Sequence, residues 1–279
     1  MNCHRCDSPL KSDGSRCVKC GAWNTIQRTV AEGPAFDGAE HDGTIILANV
    51  TSAEQSRIHL EHWDPVWGGG LVPTSTTIFA GEPGSGKSTG LLQLLDLYMR
   101  LYVQNETLYV AAEECKEEIR MRADRINVKN QDRLRIVPAM QGVGNLADIM
   151  RNRKPGLIVF DSLQGLAPDD PTMQKDLCKV AKEYAVVLQS PIIIISQVNA
   201  GGDILGQEAL QHAVDTTMLM STDEAGLRCL TVKKNRFGPA QVSMYFEMTE
   251  KGLSIASKED LEDDDEDEDE DEDEDLRHF

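Results

Sequence analysis

An α/β fold with a mainly parallel sheet is predicted by three observations. Apolar strands alternate with helical segments through the middle of the chain, the order that gives a sheet covered by helices on both faces. Runs such as "PIIIISQV" are apolar without a break, the pattern of a strand buried on both sides. The strand Thr76–Phe79 leads through a glycine-rich loop into a stretch where Leu91, Leu92, Leu94, Leu95 and Met99 recur at helical spacing. A small four-cysteine module precedes this core and an acidic tail follows it. The expected division is 1–25 for the module, 26–58 for a linker, 59–256 for the core domain and 257–279 for the tail.

The module comes first in the chain. Cys3, Cys6, Cys17 and Cys20 form two C-x2-C pairs. Two such turns present four thiolates to one point, which suits a tetrahedral Zn2+ site with a structural role. A redox pair is the alternative, and His4 could stand in as a ligand. The other cysteines, Cys115, Cys178 and Cys229, are scattered and read as packing residues. The next segment, with "AEGPAFDGAEHDGT", is polar and irregular, a linker with one short strand in "TIILANV".

"GEPGSGKS", Gly81 to Ser88, is G-x4-G-K-[ST] between a strand and a helix, the context this phosphate-binding loop requires. Glycines let successive backbone N–H groups face phosphate oxygens, and the helix start adds a favourable dipole. Lys87 would reach the β- and γ-phosphates of ATP, and Ser88 would ligate Mg2+. Gly81, Gly84, Ser85, Gly86 and Thr89 complete the nucleotide-contacting set.

Later strands supply further polar groups. "GLIVFDSLQ" ends in Asp161, suited to magnesium-bound water; a helix-capping aspartate is the alternative. "TLYVAAEE" ends in Glu113 and Glu114, either of which could polarise an attacking water, or both could open an acidic helix start. "PIIIISQV" carries Gln197 where it could sense the γ-phosphate, or simply bond to backbone. The expected strands are Thr76–Phe79, Thr107–Ala111, Leu134–Val137, Leu157–Phe160 and Ile192–Ser196. From Thr216 onward, "TTMLMST", "LRCLTVKK", "VSMYFEM" and "GLSIA" read as antiparallel additions at one edge.

The net charge of −19 belongs to the tail. Sixteen of the 17 residues from Glu259 to Asp275 are acidic, and without them the remainder carries only −3. Such a block repels itself and has no apolar surface to bury, so disorder is expected. No stretch is long and apolar enough to span a bilayer, and the start has no secretory pattern. A cytoplasmic protein with reduced thiols is therefore expected, and no membrane partner.

Taken in order, "CVKCGAWNT", "WGGGLVP", "GEPGSGKST", "YVAAEE", "VFDSLQ" and "KKNRFGP" resemble the bacterial RadA (Sms) DNA-repair ATPases over about Met1 to Ala256. The resemblance implies a RecA-like core, a hexameric ring, binding to single-stranded and branched DNA, and an ATP-driven helicase or branch-migration activity in recombination and repair. It matches Cys3, Cys6, Cys17 and Cys20 to the zinc ligands, Lys87 and Ser88 to the phosphate loop, Asp161 to the magnesium-associated aspartate and Glu113 to the water-activating glutamate. Lys234 and Arg236 match a K-x-R pair that, in related rings, reaches the neighbouring subunit's nucleotide. Without the resemblance, "KKNRFG" also reads as a solvated basic turn.

Departures qualify the match. RadA proteins carry a Lon-like carboxy-terminal domain that this sequence does not contain. The loop "LAPDDPTMQ", where RecA-fold enzymes contact DNA, is acidic; the second candidate loop, "NAGGDILGQEALQH", is glycine-rich. An ATP-gated single-stranded-DNA-binding or regulatory module of RecA or KaiC type, without motor activity, is the competing function. For the tail, a solubilising role competes with two sharper ones: covering the chain's own DNA groove, and docking a replication or recombination partner through Phe279.

Overall fold

The computed structural model describes residues 57–139, 145–168, 170–198, 207–223 and 225–256. The zinc module, most of the linker, the strand expected in "TIILANV" and the acidic tail lie outside the described residues.

The core is a nine-stranded sheet. Its strands are β1 (Thr76–Gly81), β2 (Thr107–Ala111), β3 (Leu134–Pro138), β4 (Leu157–Asp161), β5 (Ile192–Gln197), β6 (Thr216–Thr222), β7 (Arg228–Asn235), β8 (Ser243–Thr249) and β9 (Gly252–Ile255). They lie in the order β3-β2-β4-β5-β1-β6-β7-β8-β9. All five strands expected in the parallel part are present. The first of the expected edge additions differs: β6 runs parallel to β1, with Thr77 beside Thr216 and Gly81 beside Met220. Antiparallel pairing begins only with β7. The helix before β6, α6 (Gln207–Ala213), returns the chain to the starting edge of the sheet, so β6 sets out in the same direction as β1.

Both faces of the parallel strands are buried, and the side chains divide between them with period two. Phe79, Tyr109, Val159 and Ile193 enter one apolar layer, with α1 (Lys87–Leu101) and α2 (Lys116–Arg125). Ile78, Leu108, Ile158 and Ile194 enter the other, with α3 (Leu146–Arg153), α4 (Leu163–Leu166), α5 (Pro171–Leu188) and α6. Leu91, Leu92, Leu94, Leu95 and Met99 of α1 are fully buried. Cys178 of α5 is buried as expected, and burial pushes its thiol up to about 12. Cys115 instead starts α2, where its backbone N–H donates to Glu118 at 2.9 Å. Among the described residues no helix is long and apolar enough to cross a membrane.

Two segments of the sequence resemblance meet in space. A short 3-10 helix, Glu61–Trp67, ends at Gly68, which has φ 71°. A Cβ on Gly68 would stand 2.7 Å from the Cα of Gly238, so both glycines are needed for this approach. Arg57 ties the same place together, donating to the carbonyls of Trp67 (3.0 Å), Gly70 (2.9 Å) and Phe237 (2.7 Å).

Candidate nucleotide site

The loop between β1 and α1 takes its shape from glycine. Gly86 precedes the helix with φ 101°, a conformation that side chains disfavour. A Cβ there would stand 2.6 Å from Cε of Met248 on β8, so the hairpin β8–β9 covers this side of the loop. Gly84, with φ 80°, faces open space on its other side. Lys87 is 7% exposed, and its ammonium donates to the carbonyls of Gly81 (2.8 Å) and Glu82 (2.6 Å). Burial holds its pKa below the usual lysine value, partly opposed by Asp161, Glu113 and Glu82.

Around the loop lies a cavity of about 490 Å³. Gly84, Gly86, Lys87, Ser88 and Thr89 line it, with Glu113 from β2, Asp161 from β4 and Gln197 from β5. Three strand ends and one loop thus converge, because β2, β4, β5 and β1 are parallel and finish on the same edge. Gly81 and Ser85 do not line the cavity. Gly81 is pressed against β6, where a Cβ would be 2.5 Å from the Met220 carbonyl, and Ser85 is buried beneath the loop.

Asp161 is 7% exposed and accepts a hydrogen bond from Tyr109, and the Ser88 hydroxyl lies near it. Burial raises its pKa, and the two hydroxyls pull it back. A hydroxyl and a carboxylate side by side, next to a lysine ammonium, form an oxygen donor set that fits Mg2+ beside nucleotide phosphates. The two glutamates separate clearly. Glu114 is gripped by both Nη atoms of Arg122, at 2.6 and 2.5 Å. Glu113 accepts from the hydroxyl of Ser162 and lies 3.4 Å from Nε2 of Gln197. Neither belongs to a helix start, since α2 begins at Lys116.

Five further residues join the site without having been singled out. Tyr109 and Ser162 hold the two carboxylates, and Arg122, Arg125 and Met248 line the cavity. Ser162 directly follows Asp161 and was open to inspection. The others arrive from α2, from the middle of β2 and from a strand more than 150 positions beyond the loop, with no local pattern to mark them.

Lys234 and Arg236 lie elsewhere. Lys234 pairs with Thr217 at the starting end of β6, whereas the phosphate loop leaves the finishing end of β1. The Lys234 ammonium donates to the carbonyls of Gln211 and Val214 (2.8 Å). Arg236 reaches Asp215 at 3.3 Å. Asp215, with its side chain 2% exposed, also accepts from Lys182 and from the N–H of Thr76 at 3.0 Å.

The comparisons with known proteins agree with this geometry. The family model described as "ATPase: KaiC" matches residues 56–260. The chain belongs to the KaiC family of ATPases. As in that family, the described core is a RecA-like α/β fold. A KaiC-like protein from the archaeon Pyrococcus horikoshii superposes with a TM-score of 0.61 at 14% identity, over 72% of this chain and 99% of that one. Among curated relatives, the DNA repair protein RadA of Pseudomonas aeruginosa is 31% identical over 91% of the chain. RadA of Haemophilus influenzae is 31% identical over 90%, and RadA of Escherichia coli 29% over 91%. These matches bear out the resemblance to RadA. The chain spans 58–59% of the length of those relatives. A KaiC-type ATPase domain implies ATP as its nucleotide.

Proposed function

We propose that the chain is an ATP-driven motor on single-stranded DNA, acting in recombination and repair, with ATP hydrolysed between subunits of a ring. The observation that carries this reading is the placement of Lys234 and Arg236 at the sheet edge opposite the phosphate loop. Arg236 cannot reach the cavity of its own chain, so a neighbour's Arg236 would be needed to complete it.

In this reading Lys87 and the loop N–H groups hold the phosphates, and Ser88 and Asp161 hold Mg2+. When bound, the metal withdraws charge from the phosphate oxygens. Glu113 orients the attacking water and takes its proton, while Gln197, bonded to the same carboxylate, senses the γ-phosphate. Glu114 is already neutralised by Arg122 and holds α2 in place instead. The fork of Arg236 would stabilise charge spread over the transferring phosphoryl group. Catalysis is then positional and electrostatic.

DNA gripped through its backbone should stimulate turnover and lose that effect as salt rises. Phosphate release measured with and without single-stranded DNA is therefore expected to rise several-fold, more at low salt than at high. Equal rates would sink the motor reading. They would favour the second one, an ATP-gated module, for which Arg122 and Arg125 already furnish guanidinium groups in the cavity of a single chain.

For the amino-terminal cysteines we keep the zinc assignment, which rests on ligand type and spacing. Metal analysis should find about one zinc per chain. Replacing Cys17 and Cys20 by serine should impair DNA-coupled work more than basal hydrolysis. A metal-free, fully active protein would remove the module from the mechanism.

A further inference from the structure

A second cavity, of about 730 Å³, lies away from the phosphate loop, against α5, the end of α6 and Arg236. Its wall is the outer face of α5. Lys175, Lys179, Lys182 and Val186 follow one another at helical i, i+4, i+7, i+11 spacing, so they form one stripe. Val187 adjoins the stripe; it is 72% exposed and Val186 47%. The wall therefore changes along the helix from cationic to apolar. Lys175 has no partner among the described residues. Lys179 is bonded to Asp176 at 3.0 Å and is half exposed, and Lys182 and Arg236 share the buried Asp215. Glu183 is the single acidic group in the lining.

The chain carries a segment of matching order. Glu259 to Asp275 is a polyanion, followed by Leu276 and Phe279. Laid along α5 in the same direction, its acids meet Lys175, Lys179 and Lys182, and its apolar residues meet Val186 and Val187. The stripe from Lys175 to Val187 is about 18 Å long at helical rise; with Leu276 at Val186 the segment reaches Lys175 near residue 271, and the roughly 15 residues from Ala256 to that point extend to about 50 Å, more than the diameter of a domain of this size.

We propose that the acidic segment of the same chain docks in this cavity. Tethering gives the segment an effective concentration of order millimolar, so weak contacts suffice. A nucleic-acid backbone would satisfy the lysines but leave the two valines without an apolar partner. The docked segment would cover Arg236. If Arg236 serves a neighbour's site as proposed above, docking would compete with subunit association.

The test uses the full chain at low concentration, with a carbodiimide that joins carboxylates to amines in direct contact. Amide links from 259–275 should concentrate on Lys175 and Lys179, about fivefold over the exposed Lys116, Lys129, Lys154 and Lys251, and fade at roughly 0.5 M salt as the Debye length shortens. Leu276→Ser with Phe279→Ser should lower the α5 links several-fold without changing the others. In a mixture of isotopically heavy and light protein, the links should stay within one chain. Links spread over all exposed lysines, links indifferent to the serine changes, or links joining heavy to light chains would each overturn the proposal. So would an absence of α5 links in a chain whose single-stranded-DNA binding falls on Lys175→Glu with Lys179→Glu, which would assign the cavity to nucleic acid.

Discussion

Lys87→Ala is expected to lower ATP turnover by about 100-fold to 1000-fold, the scale seen when one preorganised donor to developing charge is removed. The geometry explains why the loss should be so large and so local. The ammonium is inside the loop, desolvated, and its present partners are the carbonyls of Gly81 and Glu82. Those carbonyls are weak competitors for a cation when phosphates are at hand. Its ammonium bonds only within the loop, so the fold should survive. Phosphate release measures the first effect and thermal unfolding the second. Turnover at the parental rate in a folded variant would show that the loop is not the reaction site.

Arg236→Ala should bind ATP and hydrolyse it slowly, with a loss of about 1000-fold or more if the residue acts as a trans finger. The pair with Asp215 complicates this, because Arg236 also helps to neutralise a buried carboxylate. Two controls separate the roles. Arg236→Lys keeps a positive charge for Asp215 but loses the planar fork, so it should stay slow if the fork contacts phosphate. Mixing Arg236→Ala with Lys87→Ala should restore some activity, since in a randomly mixed ring about a quarter of the interfaces join an intact loop to an intact arginine. Full activity in Arg236→Lys, or no rescue in rings shown to be mixed, would leave Arg236 a structural role only.

Local chemistry was legible wherever the backbone itself carries it. The loop Gly81–Ser88 needs its glycines for shape, and strand β1 and helix α1 on either side are marked by β-branched and leucine patterns. Asp161 could be found because a strand buried on both faces is apolar until it ends, and it is the first polar side chain of its strand; Gln197 follows the buried Ser196, and it is the first residue of its strand that is not fully enclosed. The choice between Glu113 and Glu114 was not legible. It depends on Arg122, nearly two turns into the next helix, and on Ser162, the residue that follows β4. The direction of β6 was hidden for a related reason: an isolated strand has the same pattern of side chains whichever way it runs. Arg125 and Met248 reach the cavity through packing between distant segments, which leaves no spacing to read. Asp215 looked like any acid before a strand, although it holds Lys182, Arg236 and Thr76 together.

The cover over the phosphate loop has a consequence for the order in which the molecule is made. Gln93, on the first long helix, exchanges two hydrogen bonds with the backbone of Leu253, donating to its carbonyl at 3.0 Å and accepting from its N–H at 2.9 Å. A side chain at Gly90 would meet Leu253, and one at Gly86 would meet Met248. These partners are separated by about 160 positions, so the closure cost of that span is met before the contacts repay it. During synthesis, the loop emerges early and waits for nearly the whole domain to follow. A chain halted before Met248 lacks the cover over Gly86 and the Leu253 partner of Gly90 and Gln93. The nucleotide loop, first in sequence among the parts of the candidate site, is therefore among the last to reach its final packing.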